Sequence, residues 1–248
     1  MREQVVYGIH AVKALLASKW RKPYKILLNR DRKDQIMQQI ETMAMELKIP
    51  IQLTTLKALD QQYGEVAHQG VIALAHALPG WNESDLDNLL ESLQHPALIL
   101  MLDSVTDPHN LGACLRTADA AGVDCVIIPK DKSATMSAVV SKVACGAAES
   151  VPIVKVTNLV RTIDKLKQAG VWIYGATGET EQLVYQLDTT TAMALVMGAE
   201  GSGLRRLTKD HCDGLFSIPM LGCVSSLNVS VAIGIALYEI VRQRNYNA

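Results

Sequence analysis

The apolar positions of the chain change period along its length. Between residues 8 and 76, Ile9, Val12, Leu15 and Leu16 fall at helical spacing, and 25–29 is a short apolar run of strand length. Ile36, Ile40, Met43 and Leu47 recur at i, i+4, i+7 and i+11, which predicts a helical face. Residues 51–53 and 70–75 read as further strands. This alternation predicts a small α/β unit over residues 1–76. Pro79 and Gly80, followed by Glu83 and Asp85, then mark a turn-forming, acidic boundary, and a short amphipathic helix is expected near 85–93. Residues 77–95 are therefore read as a linker.

Beyond Pro96 the strand signals are stronger, at 97–102, 125–128, 153–156, 171–175, 194–197 and 215–218, with helical segments between most of them. Apolar runs that need burial on both faces, separated by helices, predict a mostly parallel sheet over 96–248. Open sheets of this kind bind ligands beyond the carboxyl ends of their strands. The segments that follow the strands are where chemistry is expected.

Composition narrows the classes. With 49% hydrophobic and 20% charged residues in 248, the chain has a globular make-up. No apolar run reaches the ~18–20 residues that span a bilayer. The opening Met1-Arg2-Glu3-Gln4 has no leader-like apolar core, and the five cysteines form no Cys-x-x-Cys pair. The expectation is a cytoplasmic protein with no disulfide framework and no membrane partner. Net charge is only −1, but residues 1–76 hold 11 Lys and Arg against 7 Asp and Glu. Lys19, Arg21, Lys22, Lys25, Arg30, Arg32 and Lys33 crowd together with Asp31 alone among them. Such a cluster can neutralise phosphates, and equally it can be a solvated helix end.

Familiar signatures are missing. No strand is followed by Gly-x-Gly-x-x-Gly, and no Walker sequence or Gly-x-Ser-x-Gly elbow occurs. The six histidines make no His-x-x-x-His pair, so no metal site is expected. Redox, kinase and hydrolase readings weaken together.

Three polar segments remain. The first, 103–122, enters a helix near Asn110, which either caps that helix or offers its amide to a ligand. Arg116, six residues on, is either a surface charge or a cleft residue. The second, 197–206, puts Gly198, Gly201 and Gly203 around Glu200 directly after a strand. Glycines let backbone approach a ligand closely, and three of them around one charge imply a specific backbone path. The third, 218–239, passes Ser226 and Asn228 into a long helix that is apolar around most of its circumference. One of those two residues is expected to cap it. An all-round apolar helix is buried on two sides, which points to a subunit interface or to burial within its own domain.

Together these segments resemble motifs 1, 2 and 3 of the SpoU (TrmH-type) branch of the SPOUT RNA methyltransferases. Motif 1 is matched by Asn110, Gly112, Arg116, Ala118 and Gly122, and motif 2 by Gly198, Glu200, Gly201 and Gly203. Motif 3 is matched by Pro219, Ser226, Leu227, Asn228, Val229, Ser230 and Ala232. Ala199 departs from the polar residue of many relatives. The run from Lys142 to Pro152, the opening Tyr7-Gly8-Ile9-His10-Ala11-Val12 and His68-Gln69-Gly70 resemble the members that methylate a guanosine 2′-hydroxyl in bacterial 23S rRNA.

The resemblance implies an N-terminal L30e/L7Ae-like RNA-binding domain, which would occupy the basic cluster. It also implies a catalytic parallel-sheet domain with a deep trefoil knot, an outcome that pattern reading would not predict because knots are nearly absent from folds. It implies S-adenosylmethionine as cofactor, held by Gly198, Ile218, Met220 and Leu227. Asn110, Arg116, Glu200, Ser226 and Asn228 would be the catalytic set. The implied substrate is 23S rRNA or a pre-50S particle, modified in the P loop of the peptidyl-transferase centre by a homodimer joined through the catalytic domain. The alternatives are a tRNA 2′-O-methyltransferase, against which residues 1–76 speak, and a non-catalytic RNA-binding protein, against which the intact motifs speak.

Overall fold

Two sheets organise the chain. The computed structural model describes every residue except 1, 2, 65, 78, 79, 200, 202, 247 and 248. Residues 1–79 and 136–150 form one unit, and 80–135 with 151–248 form the other.

In the first unit the order is β1 (Glu3–Tyr7), α1 (Ile9–Ala17), β2 (Pro23–Asn29), α2 (Gln35–Glu46), β3 (Ile51–Thr54), α3 (Leu56–Tyr63) and β4 (Val71–His76). The sheet order is β1-β4-β2-β3, with β2 and β3 parallel and the other pairs antiparallel. Two elements escape the sequence pattern. The edge strand β1 presents only Val6 as a buried residue, too little alternation to register, and α3 buries only Leu59. The expected face of α2 is corrected as well. Its buried stripe is Met37, Ile40 and Ala44, while Ile36 and Leu47 are exposed. Asp34 is its N-cap, accepting from the backbone N–H groups of Ile36 and Met37.

The second unit opens with β5 (Trp81–Asn82) and α4 (Asp85–Ser92), followed by β6 (Leu98–Asp103), α5 (Pro108–Ala120) and β7 (Cys125–Pro129). After α6 (Ala138–Val143), which belongs to the first unit, come β8 (Ile153–Val156), α7 (Leu159–Gln168), β9 (Trp172–Ala176) and β10 (Met193–Gly198). The chain ends with α8 (Arg206–His211), β11 (Gly214–Phe216) and α9 (Val229–Tyr246). The seven strands run in the order β11-β9-β10-β6-β7-β8-β5, every pair parallel. All residues of β6 and β7 are buried, as strands covered by helices on both faces require. Within the stretch expected as linker, β5 extends this sheet by pairing with β8, and Leu86 of α4 is buried in its core.

The Arg244 side chain ties α9 to strand ends. Its guanidinium donates to the carbonyls of Thr189 (2.8 Å), Pro96 (2.9 Å), Ala97 (3.2 Å) and Thr191 (2.7 Å). Burial pulls its pKa below the ordinary arginine value, so the charge is held by these four acceptors at some desolvation cost. Arg244→Ala is expected to destabilise the protein by about 2–4 kcal/mol, because the carbonyls lose charged donors. Thermal melting should show a midpoint about 5–15 °C lower. An unchanged midpoint would mean that water replaces the side chain without loss.

Residues 136–150 complete the first unit. Glu149 takes the Arg21 guanidinium on both oxygens, at 2.8 and 2.6 Å, with the two side chains 2% and 6% exposed. Ser18 donates its hydroxyl to the Glu149 carbonyl at 2.9 Å. Gly146 lies so close to α1 that a Cβ there would stand 2.4 Å from the Ala14 methyl. No helix of the described residues is long and apolar enough to cross a membrane.

Candidate active site

The chemistry gathers at the carboxyl ends of β6, β9, β10 and β11, where parallel sheets leave a crevice. In register, Asp103 at the end of β6 stands beside Gly198 at the end of β10. The first two polar segments therefore leave neighbouring strands.

Helix α5 begins two residues before the expected start. Asp107 is its N-cap, accepting from the N–H groups of His109 (3.1 Å) and Asn110 (3.3 Å), and Pro108 fills the first turn, where no N–H is needed. Asn110 is thus not the cap, and its side chain is available for other work. Asn228 Nδ2 donates to Asn110 Oδ1 at 2.9 Å. The orientation of the Asn228 amide is dictated chemically: its Oδ1 accepts from the Ser230 N–H (2.9 Å), which can only donate, and from the Ser230 hydroxyl (2.7 Å). Asn228 therefore caps α9 and joins the start of α9 to the start of α5. Ser226, the other candidate cap, is exposed in the preceding loop and lines the cleft described below. Arg116 is exposed on α5 and, among the described residues, has no hydrogen-bond or ion-pair partner.

The glycine loop after β10 closes on itself. The Gly203 N–H donates to the Ala199 carbonyl at 2.9 Å, and Gly201 and Gly203 have φ of +80° and +63°. Gly198 is glycine for a different reason. A Cβ there would sit 2.1 Å from the Gly203 carbonyl carbon and 2.4 Å from the Leu204 nitrogen. Past the loop, the Arg205 N–H and Nε donate to the fully buried Asp103 carboxylate at 3.1 and 2.6 Å, and the Ser104 hydroxyl adds a bond of 3.2 Å. Glu200 lies outside the described residues.

Between these strand ends lies a cleft of about 530 Å³. Met197, Leu204, Phe216, Ile218, Met220 and Leu227 supply apolar wall, and Gly198, Gly201 and Gly203 expose backbone. The structure brings together all four residues expected to hold a cofactor. One wall was missing from the sequence reading: Thr177, Gly178 and Glu179, which follow β9, with Lys209 of α8 paired to Glu179. The available signal was a Gly-containing polar turn after an apolar strand, weaker than the three glycines after β10.

The cysteines separate by environment. Burial pushes the thiols of Cys114, Cys125 and Cys212 up to about 12, whereas Cys223 is exposed in the loop that carries Ser226. Only a thiolate attacks a disulfide reagent, so at pH 8 the three raised thiols stay protonated and resist it. Titration of the native protein with such a reagent, read by peptide mapping, should find Cys223 modified first. Early modification of Cys114 or Cys125 would contradict this burial.

The basic cluster of the first unit does not act as one group. Arg21 is buried against Glu149, which its sequence neighbours gave no reason to expect. Arg32 is paired with Asp34, Arg30 stands 3.9 Å from Asp31, and Lys22 donates to the Leu16 carbonyl. Lys19, Lys25 and Lys33 have no such partner among the described residues, with Lys19 and Lys33 exposed and Lys25 partly so.

Comparison with known proteins agrees with this geometry. Residues 97–238 match the model of the SpoU rRNA Methylase family, and residues 5–81 match an RNA 2′-O ribose methyltransferase substrate binding model. The chain is 52% identical over 239 residues to the 23S rRNA (guanosine-2′-O-)-methyltransferase RlmB of Pseudomonas putida, covering 96% of each chain. It is 52% identical over 245 residues to the Haemophilus influenzae RlmB, covering 98% of this chain and 99% of the relative. The fold is similar to that of the SpoU methyltransferase AviRb from Streptomyces viridochromogenes in complex with AdoMet, with a TM-score of 0.80 at 24% identity, over 98% of this chain and 90% of that one. On the match over residues 97–238 and the near full-length identity, this chain belongs to the SpoU rRNA methylase family.

Proposed function

We propose that this protein transfers the methyl group of S-adenosylmethionine to the ribose 2′-hydroxyl of a guanosine in 23S rRNA. The observation that carries the reading is that motifs 2 and 3 line one cleft and motif 1 is tied to motif 3 through the Asn110–Asn228 bond. The near full-length RlmB relatives supply the substrate class. The P loop as target, a pre-50S particle as alternative substrate and a cytoplasmic location belong to the same proposal.

The cleft fits the cofactor. About 530 Å³ lies within the ~300–1,000 Å³ of small-molecule sites, with apolar walls for a purine and glycine backbone for its polar edge. Gly198, Ile218, Met220 and Leu227 would hold it. When bound, it supplies an electrophilic methyl group on a sulfonium sulfur.

The remaining work falls to this chain. A ribose 2′-hydroxyl is a weak nucleophile that must lose a proton and be aimed in line with the methyl group. Arg116 cannot take that proton, because a guanidinium stays charged in nearly any site. It instead clamps the adjoining phosphate with two parallel N–H donors and favours the developing alkoxide. Glu200 orients the hydroxyl, and a phosphate oxygen or water accepts the proton. The Asn110–Asn228 pair holds the starts of α5 and α9 in fixed relation, and Ser226 lines the cleft.

Residues 1–76 would serve as an L30e-like substrate domain, with Lys19, Lys25 and Lys33 offering charges that have no partner among the described residues. Homodimerisation through the catalytic domain is supported by the exposure of Val231 and Tyr238 on α9 and of Leu221 and Val224 before it. The trefoil knot completes the proposed catalytic domain.

The test is incubation with labelled S-adenosylmethionine and a 23S domain V transcript beside bulk tRNA. Label recovered in a guanosine 2′-O-methyl of the rRNA is the expected result. Label in tRNA would retain the chemistry and overturn the substrate.

A further inference from the structure

We infer that Asp103 is a positioning residue for the methyl transfer, acting through Arg205 on the glycine loop that forms one wall of the cleft. The inference rests on the cofactor reading above for its consequence, but not for its geometry. Asp103 lies outside the three motif matches, and among the described residues its side chain is bonded to Arg205 and Ser104, neither of which lines the cleft.

The argument is one of constraints. The Gly203 N–H donates to the Ala199 carbonyl and so closes a turn between them. Two of its residues, Gly201 and Gly203, hold positive φ, and a glycine backbone loses more freedom on ordering than any other. Such a turn needs anchors at both ends. Its start is fixed because Gly198 closes β10, which pairs with β6 and β9. At its exit Leu204 packs into the core of the sheet, but no strand fixes the main chain there, since α8 begins only at Arg206.

Asp103 supplies that second anchor. Its carboxylate is fully buried, yet it spends both oxygens on Arg205, one on the backbone N–H at 3.1 Å and one on Nε at 2.6 Å. A bond to a backbone N–H fixes the main chain itself, not merely a side chain. Arg205 is half exposed and could reach water, so the burial of Asp103 is not explained by a need to neutralise the arginine. It is explained by where the carboxylate holds the chain. Asp103 is the register neighbour of Gly198, so one rung of the sheet controls both the entry and the exit of the turn. Gly201, Gly203 and Leu204, all cleft residues, lie between these anchors.

Asp103→Asn keeps the shape but replaces one acceptor oxygen by an NH₂ that faces a donor. Hydrogen exchange in the full-length protein should then show the Gly203 amide losing at least tenfold in protection, with strands β6 and β7 unchanged. Affinity for S-adenosylhomocysteine, measured by calorimetry, should fall about tenfold or more, while RNA affinity stays within twofold. In turnover, KM for S-adenosylmethionine should rise together with a fall in kcat, whereas a merely structural loss would reduce the active fraction at constant KM. Arg205→Ala, which removes the Nε bond and leaves the backbone bond, should show the same pattern at reduced size. The double variant should be no worse than Asp103→Asn, because both act on one anchor.

Unchanged Gly203 protection in Asp103→Asn overturns the inference. If Asp103→Asn does not fold, Arg205→Ala decides, and wild-type protection at Gly203 in that variant overturns it equally. A wild-type protein that binds no S-adenosylhomocysteine would sink the cofactor reading instead, and the exchange measurement would still decide whether Asp103 holds the loop.

Discussion

Replacing Arg116 by alanine is expected to lower the rate of RNA methylation by about 10³-fold while leaving the fold intact. The size follows from what the residue supplies. Removing one charged donor aimed at developing negative charge costs about 10²–10³ in rate, and an arginine that also aligns the attacking ribose forfeits orientation as well. Stability should move by less than about 0.5 kcal/mol, because Arg116 is exposed and has no partner among the described residues to leave stranded. Affinity for S-adenosylhomocysteine should be unchanged, since Arg116 does not line the cleft. Arg116→Lys separates two roles. Lysine keeps the charge but cannot present two parallel donors to a phosphate. A lysine variant at near-full rate would sink the two-pronged clamp and leave a simple cation.

Gly198→Ala should be as damaging by a different route, through the backbone. The added methyl would stand 2.1 Å from the Gly203 carbonyl carbon, 2.3 Å from its oxygen and 2.4 Å from the Leu204 nitrogen. None of these atoms belongs to a side chain that can rotate away. Strand β10 cannot yield easily, because it is paired on both sides. The turn must move instead, and with it Gly201, Gly203 and Leu204 of the cleft wall. A loss of about 1–3 kcal/mol in stability is expected from such overpacking. Affinity for S-adenosylhomocysteine should fall at least about 100-fold, roughly 2.7 kcal/mol. Gly201→Ala is the internal comparison. No heavy atom lies within 4 Å of its added methyl, so it meets only the strain of φ +80°, about 1–2 kcal/mol. Calorimetric titration of the two variants should therefore rank them far apart. Equal affinities would contradict the close approach of residues 198 and 203.

Much of the second unit was legible before any coordinates. Its strands announce themselves because residues buried on both faces must be apolar without interruption, and the six expected runs appear as β6 to β11 with shifts of one or two residues at most of their ends. The two-residue strand β5 was not legible, since two residues carry no period. In the first unit the helical repeat of α2 was read half right: Ile40 is buried and Met43 packs against the core, but Ile36 and Leu47 are exposed and Met37 and Ala44 take their places, because a period cannot say which of two overlapping stripes meets the sheet. The start of α5 was displaced for a comparable reason. Asp107 and Asn110 are both good caps, and only the backbone path shows that Asp107 accepts the N–H bonds.

By itself, the sequence determined the α/β class, the parallel sheet and the residues of three motifs, because burial on both faces and glycine-dependent backbone paths write local, short-range patterns. The tertiary structure alone decided which distant residues meet. It buried Arg21 on Glu149, 128 residues away, and so withdrew one charge from a cluster that looked uniform along the chain. It assigned residues 136–150 to the first unit, although they lie between two strands of the second sheet. It set Asp103 beside Gly198 and under Arg205. The physical reason is common to all three. Pairings of this kind depend on register and on the angle at which elements pack, and those are settled by the whole fold rather than by any window of neighbouring residues.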